Sequence, residues 1–179
     1  MARSGIREGG DPSPDFRSIY ESEVSYVWVS LSRLGVRERD LEDLTHDVFA
    51  KFFQNYGAYD PSRPLRPWLF GICARIAWDD RELARNRLET PKPPIDRPDP
   101  GADPEEEASA REDRALVLRA LEELTMERRM LLVMHDLNGH SMPEIAKVLA
   151  HPLNTLYSRL RMARADFLAA LLKLGRTKP

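Results

Sequence analysis

The chain has 179 residues, 27 Lys+Arg against 29 Asp+Glu, a net charge of −2, and 42% hydrophobic and 31% charged residues. That size allows one ordinary domain or two small ones, and the composition suits a folded chain rather than a disordered one. No apolar run approaches the ~18–20 residues of a membrane helix, and residues 1–14 lack the apolar centre of a signal peptide, so a cytoplasmic protein without membrane insertion is expected. Cys73 is the single cysteine, which excludes internal disulfides and cysteine-based zinc sites. The near-neutral total conceals an uneven distribution. Residues 15–60 and 90–113 are acidic, whereas residues 114–179 hold eleven basic against six acidic side chains. From Asn154 onward six basic residues stand against Asp166 alone, which suits an anionic partner for the C-terminal end.

Residues 1–14, with three glycines and two prolines, read as a disordered tail. Phe16, Ile19, Tyr20, Val24, Val27, Trp28, Leu31 and Leu34 recur at helical spacing, and Gly35 supplies a stop. Asp40 is the expected cap of a second helix with Leu41, Leu44, Val48, Phe49, Phe52 and Phe53 on its apolar face. The run Asp60-Pro61-Ser62-Arg63-Pro64 is turn chemistry, and a third helix follows along Leu65, Trp68, Leu69, Ile72, Ile76 and Leu83. Six of the fourteen prolines fall between Pro91 and Pro104, so residues 90–103 read as a linker. Beyond it, Asp103-Pro104 opens a helix to about Leu124, and Thr125 caps another that ends at Asn138-Gly139. Ser141-Met142-Pro143-Glu144 is a capping box for a short helix to Leu149. His151-Pro152 breaks it, and a long helix runs from Leu153 to about Leu172. No useful period-two alternation occurs. The expected fold is all-α, with small helical domains at 15–89 and 104–175.

The stretch SMPEIAKVLAHPLNTLYSRLRMARADF has the layout of a helix-turn-helix. Leu156, Leu160, Ala163 and Phe167 share the inner face of its second helix, leaving Asn154, Ser158, Arg161 and Ala165 outward. Tyr157 and Arg164 flank one side and Arg159 and Met162 the other. Arg and Asn in a major groove read guanine and adenine, while Ser and peripheral Arg hold phosphates. Spacing alone leaves a DNA-reading helix and a solvated basic face both open.

Resemblance narrows the choice. VLRALEELTMERRMLLVMHDLNGHSMPEIAKVLAHPLNTLYSRLRMARADFLAALL closely resembles the fourth conserved region of bacterial RNA polymerase sigma factors, above all the small extracytoplasmic-function type. DLTHDVFAKFF is similar to that family's core-binding signature, and YDPSRPLRPWLFGICARIAWDD to its segment for melting and reading the minus-ten element. Both matches fall in the family's order, with a linker between them. The resemblance implies a specificity subunit and not an enzyme. It also implies two contacts with core RNA polymerase (β′ clamp and β flap), promoter DNA as ligand, an anti-sigma factor as inhibitor and no cofactor.

By the same resemblance, Asp43, Leu44, His46, Asp47 and Phe49 are candidates for core binding, although aromatics at such spacing are usually core. Tyr59, Arg63, Arg66, Arg75, Trp78 and Arg81 are candidates for the minus-ten strand, because a flipped base stacks on a ring while guanidinium groups hold the backbone. Trp68 lies on the apolar stripe and is expected in the core. Asn154, Thr155, Tyr157, Ser158, Arg159, Arg161 and Arg164 are candidates for the minus-thirty-five element. The chain departs from the family pattern at Arg75, where Asn is frequent, at Pro64 and Pro67, and at Asn154 and Tyr157, where Gly and Lys are frequent.

Two other readings are weaker. A stand-alone helix-turn-helix regulator binding duplex DNA as a dimer leaves DLTHDVFAKFF and the aromatic, basic third helix without a role. The dipeptides His46-Asp47 and His135-Asp136 suggest a metal phosphohydrolase, but His140 follows at no recognisable ligand spacing, so no catalytic or metal site is expected. His135 reads as a surface residue and His140 as a loop residue, and Cys73 as a buried small hydrophobe.

The acidic linker generates a first prediction. The family's linker runs through the polymerase's positively charged RNA path, where Asp96, Asp99 and Asp103 would mimic nucleic acid. Replacing all three with Ser is expected to leave promoter binding by the holoenzyme unchanged but to alter the yield of short abortive transcripts. An unaltered abortive pattern, with core affinity also unaltered, makes the segment a solubilising spacer and passive tether.

Overall fold

Every element in the described residues, 16–86 and 104–175 of this computed structural model, is a helix or a turn. The expected tail at 1–14 and linker at 90–103 lie outside the described residues, as does the cap expected at Asp103.

Helix α1 spans Phe16–Leu34. Gly35 ends it with φ of 94°, its N–H bonding to Ser32 O at 3.0 Å while Val36 N–H reaches Leu31 O at 3.1 Å. That paired closure needs a left-handed residue, which glycine adopts without a Cβ penalty. Helix α2, Glu38–Gln54, begins two residues before the expected cap. Asp40 is already within the first turn, its N–H bonded to Arg37 O at 2.9 Å, and its carboxylate accepts from Arg37 Nε at 2.8 Å instead of capping. A 3-10 turn at Tyr56–Ala58 leads through the proline-rich bend to α3, Leu65–Asn86.

In the second half, α4 spans Pro104–Glu122 and α5 spans Met126–Leu132. Thr125 occupies the N-cap position of α5 without a side-chain capping bond. The expected run to Asn138 does not remain α-helical: Val133–Leu137 form a π-helical turn, followed by Gly139 at φ 74°. Helix α6, Met142–Leu149, opens with the expected capping box, Ser141 N–H and Oγ–H both donating to Glu144 Oε2 at 2.8 and 2.7 Å. Ala150 closes it in the left-handed region at φ 53°, before His151-Pro152. Helix α7 then runs Leu153–Gly175.

Helices α1–α3 and α4–α7 form two helical units that share one apolar cluster. Val27, Leu31, Leu69, Phe70 and Cys73 from the first unit join Leu121, Leu131, Met134, Ile145, Leu156 and Leu160 from the second. Burial pushes the Cys73 thiol up, as expected for a packed small hydrophobe. Helix α1 packs on α2, α3, α4 and α5, and α6 packs on α3.

A polar network crosses between the units. Arg33 Nη1 donates to Leu137 O at 3.2 Å and to Asn138 Oδ1 at 2.7 Å. Asn138 Nδ2 donates to the Tyr26 hydroxyl at 3.3 Å and to Ser30 Oγ at 3.2 Å. The Tyr26 hydroxyl and His140 Nε2 are hydrogen-bonded at 2.7 Å. His140 lies in the loop before α6, as the sequence suggests, and is a buried interface residue there.

That position gives a pH dependence. Burial holds the His140 pKa below the ordinary value and nearby Arg66 adds to the depression, while Glu144 opposes it. The packed form keeps His140 neutral, so below ~6.5 the loosened chain takes up a proton that the packed one refuses. Packing is thus favoured above that pH and weakened as pH falls through it. The melting temperature should fall across this window, with His140→Gln losing that part of the slope; an identical slope in the variant places the proton uptake elsewhere.

Candidate nucleic-acid interface

The end of α2, the turn after it and the start of α3 gather aromatic rings. Buried Phe52 meets Trp68 edge-on at 5.4 Å, and Tyr59 stacks flat on Trp68 at 4.8 Å with an interplanar angle of 8°. The turn fixes this stack. Asp60 Oδ1 accepts from Ser62 N–H at 3.0 Å and Oγ–H at 2.7 Å, bonds that hold its carboxyl below the ordinary range. The Tyr59 hydroxyl donates to Arg63 O at 2.6 Å. Partial burial beside Tyr56 and Asp60 raises the Tyr59 phenol, so at neutral pH it is a donor and not an anion.

A cavity of about 870 Å³ opens beside the stack, lined by Tyr59, Arg63, Trp68 and Arg75 together with Lys51 and Asn55. Rings and cations in one concavity suit a nucleobase on the aromatic face with phosphates held at the rim. The structure thus brings together Tyr59, Arg63 and Arg75. It also makes Trp68 a half-buried pocket wall and not only a core residue. Trp78 is partly exposed further along α3.

Arg66 and Arg81 stand apart from the cavity. Arg66 Nε donates to Glu23 at 2.8 Å, and its guanidinium lies 5.1 Å from the centre of the Tyr26 ring. Arg81 Nη1 lies 3.9 Å from the place a Cβ on Gly35 would occupy. Lys51 and Asn55 are pocket residues that the sequence reading passed over; their signal was position, on the last turn of α2 and just beyond it, next to the aromatic run.

On α2, Asp43, His46 and Asp47 are exposed and Leu44 is half-buried. His46 lies parallel to Tyr20 at 6.3 Å. Phe49 is 2% exposed and packs 4.7 Å from Tyr20, so it supports this face from within.

On α7 the helical phase is as expected. Leu156, Leu160 and Ala163 are buried and Phe167 is partly so, while Asn154, Tyr157, Ser158, Arg159, Arg161 and Arg164 are exposed and Thr155 is half-buried. Ser158 Oγ–H donates to Thr155 O at 2.9 Å. Arg164 is not free: Nε and Nη2 donate to the two oxygens of Asp136 at 2.8 and 2.6 Å. This pair holds the Asp136 carboxyl below its ordinary range and ties α7 to the π-helical turn.

Two family models match the chain: Sigma-70 region 2 over residues 19–87 and Sigma-70, region 4 over residues 114–167. The chain is 32% identical over 148 residues to the RNA polymerase sigma factor CnrH of Cupriavidus metallidurans, covering 76% of each protein. The chain belongs to the sigma-70 family. Its group is the extracytoplasmic-function one, and its function is that of an RNA polymerase sigma factor, directing transcription initiation. The ECF sigma factor SigL of Mycobacterium tuberculosis is 28% identical over 167 residues, covering 90% of this chain and 92% of that one. A solved sigma factor, RpoE of Bartonella quintana in complex with the anti-sigma factor NepR, has the same fold. Its TM-score is 0.70 at 20% identity, covering 89% of this chain and 97% of that chain. The Tyr59–Trp68 stack and the exposed α2 face lie within the region 2 match, and α5, α6 and most of α7 within the region 4 match. A stand-alone helix-turn-helix regulator accounts for the second match only.

The stack predicts a graded response at Tyr59. Tyr59→Ala strips one ring from the pocket and should weaken single-stranded promoter capture by the holoenzyme by ~1–3 kcal/mol, the usual worth of one base–aromatic stack. Tyr59→Phe keeps the ring and should stay near wild type; equal losses in both variants would assign the effect to the hydroxyl and its bond to Arg63 O.

Proposed function

We propose that this sigma factor divides its work among three surfaces. The exposed residues Asp43, Leu44, His46 and Asp47 of α2 dock on the β′ clamp of core polymerase, with Phe49 holding the helix from below. Tyr59, Arg63 and Arg75, with Lys51 and the Trp68 wall, hold the melted minus-ten strand. The outer face of α7 reads the minus-thirty-five duplex, Asn154 and Arg161 at base edges and Ser158 and Arg159 at phosphates. Arg164, already paired with Asp136, is a weaker phosphate contact than its exposure suggests.

The observation that carries this reading is the pairing, in one chain, of a ring-and-cation pocket with an outward basic helix face. One suits unstacked bases and the other a major groove. Residues 15–89 and 104–175 are the two functional domains, joined by the linker at 90–103. The protein performs no catalysis of its own and acts in the cytoplasm. An anti-sigma factor as inhibitor is supported by the complex in which the similar RpoE fold was solved.

Run-off transcription from reconstituted holoenzyme tests the whole. Asp47→Lys should weaken core binding with the melting temperature unchanged, because a reversed charge on an exposed position opposes a basic partner at little structural cost. Arg161→Ala should lose ~1–3 kcal/mol of discrimination among minus-thirty-five sequences. Wild-type core affinity in the first variant removes Asp47 from the interface, and uniform weakening on all sequences in the second makes Arg161 a phosphate contact.

A further inference from the structure

The cavity beside the Tyr59–Trp68 stack takes charged groups from both halves of the chain. Lys51 comes from α2, Arg63 from the turn, Arg75 from α3, and Glu144 and Lys147 from α6. Val148 seats the α6 wall: a Cβ on Gly71 of α3 would lie 3.1 Å from its Cγ1. Both carboxylates of the lining are engaged. Asp60 accepts from Ser62 and pairs with Arg63 Nε at 3.2 Å, and Glu144 accepts from Ser141. Most of the cations are not. The side chains of Lys51, Arg75 and Lys147 are exposed and make no hydrogen bond or ion pair among the described residues. Lys147 does no more than help, through its nearby charge, to hold the Glu144 carboxyl down. Four cations against two carboxylates leave the lining positive.

We infer that this cavity binds a free purine nucleoside di- or triphosphate in the uncomplexed protein, a ligand distinct from the DNA strand. The base continues the Tyr59–Trp68 stack, where overlap of aromatic faces is favourable for any base. The phosphates lie among Lys51, Arg75 and Lys147. A DNA strand spreads its charges singly along an extended backbone, whereas a polyphosphate concentrates several on adjacent groups. Three unpaired cations drawn from α2, α3 and α6 around one cavity suit the second distribution. The volume of about 870 Å³ also falls within the ~300–1,000 Å³ of small-ligand pockets. The base would use the same rings as the minus-ten strand, but Lys147 has no part in the minus-ten reading, and the nucleotide site does not depend on that reading.

Calorimetric titration of the full chain with GDP, ADP and pyrophosphate tests the site. GDP or ADP should bind saturably and raise the melting temperature, with pyrophosphate much weaker. Lys147→Ala, at an exposed position of α6, should cost about tenfold in nucleotide affinity, the size of one lost charge-assisted contact. Its melting temperature without ligand, and single-strand capture by its holoenzyme, should match wild type. Tyr59→Ala should weaken nucleotide binding and leave pyrophosphate affinity as it was. Pyrophosphate bound as tightly as GDP and ADP means that the rings take no base, and overturns the nucleotide site. No saturable nucleotide binding, or binding untouched by Lys147→Ala, overturns it too; holoenzyme capture that still depends on Tyr59 and Arg75 then leaves the minus-ten reading standing. Nucleotide binding that needs Lys147 and Tyr59, with no loss of single-strand capture in Tyr59→Ala holoenzyme, upholds the nucleotide site and removes Tyr59 from the minus-ten one.

Discussion

The two halves of the molecule meet at the C-terminal end of α1. The last carbonyls of any helix lack partners within it and carry the negative end of its dipole. Here the Leu34 carbonyl is taken by Arg129 from the second half. The guanidinium fits because Gly35 has no side chain: a Cβ there would lie 2.2 Å from Arg129 Nη1. One glycine thus ends α1 and admits the residue that ties α1 to α5. Burial, with Arg81 nearby, pushes the Arg129 pKa down to about 10, and Glu122 only partly opposes this. The residue remains charged at neutral pH, so the contact fixes the geometry of docking more than it deepens its stability.

The neighbouring network has the same character. Arg33, Asn138, Tyr26, Ser30 and His140 join the units through directional bonds, and each group satisfied there is one that water could satisfy after separation. Inside the units, and in the apolar cluster that they share, the contacts are of another kind. Phe52 packs against Tyr56, Tyr59 and Trp68, and Leu156, Leu160 and Ala163 are buried beneath α7. Removing such rings and aliphatics from their neighbours exposes apolar area with no compensating partner in water. The directional network therefore sets how the units dock, while the apolar cluster they share stabilises the docked form.

The helices were legible because their signals are local. Apolar periodicity marked α1, α2, α3 and α7, Gly35 marked a stop, and Ser141 with Glu144 marked the start of α6. The phase of α7 followed from Leu156, Leu160, Ala163 and Phe167. The errors at α2 and α5 were also local: Asp40 is a cap by residue type, but Arg37 draws its carboxylate away, and the π-helical turn has no distinctive composition. What the sequence could not carry was partnership across the chain. Arg66, Arg81 and Arg164 look alike as basic residues near nucleic-acid motifs, yet Glu23 engages the first, the end of α1 has the second beside it, and Asp136 holds the third. His140 gave no sign that Tyr26 would be its partner, and Trp68 looked like core because one of its faces is.

Helix α6 shows how one short element serves two surfaces at once. Met142 and Ile145 are buried, the latter with the apolar faces of α7 and the π-helical turn in one cluster. Glu144, Lys147 and Val148 lie on another side and meet the pocket. That outer side is two charged residues around one valine, with Glu144 already engaged by Ser141 in the capping box. Such a surface is tolerable in water as well as against α3, whereas a row of leucines would not be. Gly71 completes the match from the other side, since its bare backbone accepts Val148 where a Cβ would crowd it. The contact between α3 and α6 therefore rests on the fit of Val148 to Gly71 more than on a continuous apolar stripe.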